Sequence, residues 1–149
     1  MHKKAVYLDY NATAPMRPEA ASVMADVAGA PLNPSSVHGF GRKGRAMIET
    51  ARDQIAALVN CPAPQIVFNS GATEGNNTVL RHFAGERILA SAIEHPSILQ
   101  AGVAVETTPV TKDGIIDLNK LEEALKSPSP LAGEGRGGGA SLVSLMLVN

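Results

Sequence analysis

Short apolar runs of strand length recur along this chain between segments whose apolar residues return every three or four positions, and that alternation limits the folds open to it. Strands separated by helical crossovers cannot pair as tight hairpins. The pattern therefore predicts an α/β protein with a mostly parallel sheet and flanking helices. The strand candidates are residues 5–8, 65–68, 87–90, 103–110 and 142–148. The last reads as a central strand, because only Ser144 interrupts its apolar character. Pro18 suits the first position of a helix, with Ala20, Val23, Met24 and Val27 at helical spacing and Gly29 as the stop. After a turn-rich loop at 31–41, the clearest helix puts Ile48, Ala51, Ile55, Leu58 and Val59 on one face. Further helices are expected to start near Thr73 or Glu74 and run towards His82, to open at Pro96, and to follow the capping residue Asp117. In that last helix Leu118, Leu121 and Leu125 should face inward, after a turn at Lys112-Asp113-Gly114.

Composition narrows the function classes. With 149 residues, 44% of them hydrophobic, the chain is large enough for one globular core. Thirteen basic and fourteen acidic residues leave a formal net charge of −1, so neither nucleic acid nor an anionic membrane is expected as a partner. No apolar run is long enough to span a bilayer, and the apolar stretch behind Met1-His2-Lys3-Lys4 is too short for a signal peptide. The single cysteine excludes an internal disulfide and favours a reducing, cytoplasmic setting. That residue, Cys61, follows a helix end and has no neighbouring cation to favour a thiolate, so it is not read as a nucleophile. The histidines and Cys61 form no zinc-ligand spacing, and no metal site is expected. Residues 127–139, rich in proline, serine and glycine, read as a disordered insert. Gly133, Gly135 and Gly138 spell G-x-G-x-x-G there. A proline-rich stretch precedes them and a strand follows, the reverse of what a dinucleotide site requires.

Two places carry chemistry. In Ser70-Gly71-Ala72-Thr73 a glycine allows a tight turn and a hydroxyl stands at the mouth of a helix. Free N–H groups of the first turn together with the Thr73 hydroxyl suit a phosphate, while Ser70 or Thr73 as a simple N-cap is the plainer alternative. His95 lies after a predicted strand and before Pro96, where α/β sheets bind ligands. It can stack on a planar ring or move a proton, or it is a surface histidine beside a helix start.

These segments together resemble the amino-terminal part of the NifS/IscS-type cysteine desulfurases, class V aminotransferase-like enzymes that use pyridoxal 5'-phosphate. The matching stretches are Tyr7-Leu8-Asp9-Tyr10-Asn11-Ala12-Thr13-Ala14-Pro15, Asn33-Pro34-Ser35-Ser36 with His38-Gly39 and Gly41, and Ile66-Val67-Phe68-Asn69-Ser70-Gly71-Ala72-Thr73-Glu74 with Asn76-Asn77. Glu94-His95-Pro96, Gly114-Ile115-Ile116-Asp117-Leu118 and Val143-Ser144-Leu145-Met146-Leu147-Val148-Asn149 follow in the family's order. The resemblance implies part of the large cofactor-binding domain of a fold type I transferase, incomplete, with residues 1–149 as its amino-terminal portion. It implies that Ala72, through its backbone, and Thr73, through its hydroxyl, bind the cofactor phosphate. It further implies that His95 stacks on the pyridine ring and assists proton transfer, and that Asn11, Ala12 and Thr13 lie near the substrate. The implied substrate is L-cysteine, the implied partner a sulfur-acceptor or scaffold protein for iron–sulfur cluster and thio-cofactor assembly, and the implied assembly a homodimer.

Departures from the family pattern set a further expectation. The family's cofactor-anchoring lysine in Ser-x-His-Lys, its aspartate facing the pyridine nitrogen, its persulfide-forming cysteine and its carboxylate-gripping arginine have no counterpart in these 149 residues. The only His-Lys pair is His2-Lys3, and Cys61 does not match the catalytic cysteine. The chain is therefore expected to be truncated and inactive alone. A non-catalytic gene fragment or partner subunit of a full-length desulfurase, and another class V enzyme such as a selenocysteine lyase or aminotransferase, are the alternatives.

Overall fold

The computed structural model of the protein describes residues 5–127 and 139–147. The chain divides into two compact units, Met1–Phe68 and Asn69–Asn149.

The first unit is helical. Helix α1 (Pro18–Ala28) begins on its proline and gives way at Gly29, as the spacing predicts. Helix α2 (Gly39–Leu58) starts well before its apolar periodicity does. His38 caps it, with Nδ1 accepting the Gly41 N–H at 3.3 Å. Glycine is required there for close approach: a Cβ at Gly41 would stand 2.0 Å from the Ser36 carbonyl oxygen, and one at Gly44 2.9 Å from that of Leu32. A single 3-10 turn, Ala63–Gln65, follows α2. Arg52 ties the residues after it to α2, donating from Nη1 to the Ile66 carbonyl and lying 5.0 Å from the centroid of the Phe68 ring.

Two expected strands do not form in this unit. Residues 5–8 and 65–68 join no strand ladder among the described residues, and Val6, Leu8 and Val67 are exposed. A strand exists only through the backbone hydrogen bonds of a neighbour, and a short apolar run does not specify that neighbour. The apolar face of α2 is largely uncovered: Ala56 is buried, but Ile55, Leu58 and Val59 are exposed. Helical period sets which residues share a face, while other elements decide whether anything covers it.

The second unit is a three-stranded parallel sheet, order β2-β1-β3, with helices in the connections. Helix α3 (Ala72–His82) leads into β1 (Ile88–Ser91), and α4 (Pro96–Leu99) connects it to β2 (Glu106–Thr108). Helix α5 (Leu118–Lys126) then precedes β3 (Leu142–Ser144). Every residue of β1 is buried, as a strand covered on both faces requires. Leu89 pairs with Glu106 on one side and with Val143 on the other. Among the described residues, the more apolar segment that begins at Leu142 thus supplies an edge strand of three residues rather than the centre. Centrality is a matter of pairing on both sides, which hydropathy does not record. Strand β2 is shorter than the β-branched run at 103–110; Val103 and Val105 precede it and pack against the core of Leu80, Ile88, Ala90, Ile98 and Ala101. Val110 makes only an antiparallel bridge to Ile116, around a turn where Gly114 has φ +76°.

Asp117 caps α5 as expected, its Oδ1 accepting the N–H groups of Asn119 and Lys120 at 3.1 Å each. Leu121 is buried, but Leu118 and Leu125 are exposed, so the predicted inward stripe is narrower than its spacing suggested. Ser127 does not behave as part of a disordered insert. Its N–H and hydroxyl both donate to the Glu123 carbonyl, and its own carbonyl accepts from Arg87 Nη1 at 2.6 Å. Residues 128–138, with Gly133, Gly135 and Gly138, lie outside the described residues.

Thr108, paired with Ser91 in the sheet, has its Oγ1 buried with no hydrogen-bond partner among the described residues. Thr108→Val keeps the branched shape and removes the orphaned hydroxyl, so it should stabilise the chain by about 1 kcal/mol, read as a higher urea midpoint. Leu80→Ala should destabilise it by about 2–5 kcal/mol in the same measurement, because it opens a cavity in the core.

Candidate functional site

The loop before α3 is built from short-range hydrogen bonds. Asn69 Oδ1 accepts the Gly71 N–H at 3.0 Å. Gly71 takes φ +154° and ψ 176°, a conformation essentially confined to glycine, and serves as the N-cap without a side-chain bond. A Cβ at Gly75 would lie 3.0 Å from Asn69 Nδ2, so the absence of a side chain there leaves room for that amide. Glu74 reaches back along the helix start, accepting from the Ser70 N–H at 2.7 Å and from the Ser70 hydroxyl at 2.5 Å. This corrects the plain capping alternative: the Ser70 hydroxyl serves Glu74, and the Thr73 hydroxyl makes no hydrogen bond among the described residues. The amides of Ala72 and Thr73, in the first turn, have no intrahelical acceptor. Two N–H groups, a hydroxyl and the positive end of the helix dipole therefore stand together on an exposed surface, a donor set suited to a phosphate.

His95 stands just beyond the carboxyl end of β1. The turn that delivers it is held by a buried pair, Ser91 Oγ donating to Glu94 Oε1 at 2.9 Å, and by the Glu94 N–H donating to the Ser91 carbonyl. His95 caps α4: its Nδ1 accepts the Ser97 N–H at 3.1 Å and lies 2.9 Å from Ser97 Oγ. Ser97 Oγ in turn accepts from Asn76 Nδ2 of α3 at 2.8 Å. The helix that begins with Ala72 and Thr73 is thereby joined to His95 within one unit.

Asn11, Ala12 and Thr13 belong to the other unit, in a turn closed by the Thr13 N–H donating to the Asp9 carbonyl. The Tyr7 hydroxyl, 2.7 Å from the Asp9 carbonyl and 2.8 Å from that of Thr13, braces the same turn, and Tyr7 meets Tyr10 edge-on. Sequence reasoning missed the parts played by Glu74, Asn76 and Ser97. A signal existed for Glu74, which occupies the third helical position after the cap, where a carboxylate reaches back to upstream N–H groups. Asn76 and Ser97 are 21 residues apart and had none. Among the described residues no cluster of histidine, cysteine or carboxylate side chains could hold a metal ion.

The Ser70 hydroxyl, and then its amide, hold the Glu74 carboxyl below the usual carboxylate range. A depressed folded-state pKa contributes stability above the ordinary carboxylate value and loses it as pH falls through the lowered one. Protection of the Ser70 amide from hydrogen exchange should therefore be full near neutrality and fall only on strong acidification. Glu74→Gln should abolish that acid step.

Residues 6–131 match the family model described as aminotransferase class-V. A cysteine desulfurase IscS from Dictyoglomus turgidum is 36% identical, the match covering 87% of this chain and 36% of that protein. One from Vibrio cholerae is also 36% identical, covering 99% of this chain and 38% of the relative. Among solved structures, a NifS-like protein from Rickettsia africae aligns with a TM-score of 0.79 at 34% identity, over 97% of this chain and 40% of that one. DndA from Streptomyces lividans aligns with a TM-score of 0.70 at 28% identity, over 97% and 41%. The chain spans about two fifths of the length of these proteins, and its small parallel sheet with flanking helices is an incomplete version of their fold. With more than half of its residues matched by one family model, this chain belongs to the aminotransferase class-V family.

Proposed function

We propose that the chain supplies the phosphate-holding end of a pyridoxal 5'-phosphate site in a cysteine desulfurase, which takes sulfur from L-cysteine as a protein persulfide and leaves alanine. The observation that carries this reading is the set of unpartnered donors at the start of α3, joined through Asn76 and Ser97 to His95. The donors fit the group. Two backbone N–H groups and a hydroxyl complement a phosphate dianion, and the open space around Gly71, with nothing within 4 Å of a Cβ there, leaves it room. Glu74 is engaged by Ser70, so its carboxylate does not cap the amides of Ala72 and Thr73.

In this reading Ala72 and Thr73 hold the phosphate, and His95 lies against the pyridine ring and holds or moves a proton at Nε2. Asn11, Ala12 and Thr13 stand near the substrate. When bound, pyridoxal phosphate supplies an electron sink for bond cleavage at the amino acid. Residues 1–149 then form the amino-terminal portion of a class V domain. The whole enzyme works as a cytoplasmic homodimer, without a membrane or nucleic-acid partner, and passes sulfur to an acceptor or scaffold protein for iron–sulfur cluster and thio-cofactor assembly. Likeness to the IscS relatives supports this reading. Among the described residues no helix is long and apolar enough to cross a membrane.

Persulfide chemistry needs an anchoring lysine and a thiolate acceptor, and these 149 residues hold no counterpart of either. The chain alone should release no sulfide from L-cysteine beyond that released by free pyridoxal phosphate. Release above that level would overturn the assignment of inactivity. Titration with pyridoxal phosphate should show binding weakened about tenfold by Thr73→Val, the loss of one charge-assisted hydrogen bond. Unchanged affinity in both Thr73→Val and His95→Ala would remove the basis of the site.

A further inference from the structure

We infer that Asn76 and Ser97 are positioning residues that hold the neutral His95 ring in a single tautomer, with its proton on Nε2; the consequence for catalysis rests on the reading of His95 given above. The chain of donors runs in one direction. Asn76 Nδ2 donates to Ser97 Oγ at 2.8 Å, and that oxygen lies 2.9 Å from His95 Nδ1. The Ser97 N–H donates to the same nitrogen at 3.1 Å. The Ser97 N–H, at 3.1 Å, favours a lone pair at Nδ1, and the hydroxyl held by Asn76 adds the second donor that makes this preference exclusive. Ser97 Oγ, already accepting from Asn76, turns its own hydrogen towards that nitrogen. A ring protonated at Nδ1 would set its hydrogen against both the Ser97 N–H and the hydroxyl hydrogen that Asn76 directs towards it. The neutral ring therefore carries its hydrogen on Nε2.

Burial makes this arrangement firmer than an ordinary surface cap. Ser97 is 8% exposed and Asn76 is half-buried, so water competes poorly for the hydroxyl. Two other histidines show what is particular to His95. His38 also caps a helix, but among the described residues only the Gly41 N–H reaches its Nδ1, at 3.3 Å, and no hydroxyl joins it. His82 meets the Phe83 ring edge-on, with ring centroids 5.0 Å apart. Among the described histidines His95 is the one tied to a second helix, and that helix is the one whose first turn carries Ala72 and Thr73. A histidine that exchanges a proton over a planar ring must present the same nitrogen at each turnover. The Asn76–Ser97 pair sets which nitrogen that is.

The test uses the full chain, labelled with nitrogen-15, and reads long-range proton–nitrogen correlations of the histidine rings at a pH where His95 is neutral. Wild type should show one His95 tautomer, with the hydrogen on Nε2 and Nδ1 as a bare acceptor. Asn76→Ala and Ser97→Ala should each shift the Nδ1 signal and admit a second tautomer, leaving His38 and His82 unchanged. Ser97→Thr should restore the wild-type pattern. An Nδ1–H tautomer in wild type, or a His95 spectrum unmoved in both alanine variants, would overturn the inference. If Ser97→Ala unfolds, Asn76→Ala decides the matter, because it leaves Ser97 in place. A pyridoxal phosphate titration separates this inference from the functional reading. If the relay is present but His95→Ala binds the cofactor as wild type does, the placement of His95 against the ring fails and the relay stands.

Discussion

The second unit depends on β1 being paired along both edges. All four of its residues are buried, so each backbone N–H and carbonyl must find a partner within the sheet or its flanking turns. Arg87, immediately before β1, secures the entry to that arrangement. Its guanidinium, 3% exposed, bonds both oxygens of Glu106 on β2 at 2.9 and 3.0 Å and also reaches the Ser127 carbonyl behind α5. Its backbone carbonyl accepts the N–H groups of Ser141 and Leu142 at the start of β3. One residue thus binds β2 through its side chain and β3 through its backbone. Burial of a guanidinium is tolerable only with such a full set of acceptors. The hydrogen bonds that the guanidinium donates to Glu106 raise its pKa above the ordinary arginine value, so it stays charged.

From that clamp the geometry passes to the site along the strand. The carboxyl end of β1 leads into the Ser91–Glu94 hydrogen bond, which shapes the turn that delivers His95. Packing of α3 against α4 then brings Asn76 to Ser97. Glu74 works in the opposite sense at the other end of α3. Turned back onto Ser70, it organises the loop while leaving the first-turn amides without an acceptor. The candidate site is a set of donors that local structure leaves unpaired, on a helix joined through Asn76 and Ser97 to a histidine whose acceptor nitrogen is engaged.

Much of this was legible from residue order alone. The alternation of runs led to a parallel α/β sheet, Pro18 and Asp117 marked helix starts, and Thr73 and His95 were placed at a helix mouth and beyond a strand end, because each of those features spans only a few residues. The failures share a cause. Residues 5–8 and 65–68 have strand composition but no strand partner among the described residues, and the hydropathy of 142–148 suggests a central strand where the sheet has an edge. Leu58, Val59 and Leu118 keep their helical spacing but lie exposed.

The sequence by itself determined what is periodic or adjacent: the helices, the glycine-dependent turn at Gly71, the first-turn donors of α3 and the histidine before Pro96. Backbone sterics and capping act over fewer than about five residues, so they are written in short stretches. Only the tertiary structure decided that β1 is central, that Arg87 joins β2 to β3, and that Asn76 reaches Ser97 across 21 residues to orient His95. Those outcomes depend on which surfaces meet, and contacts between elements distant in the chain leave no periodic trace in residue order.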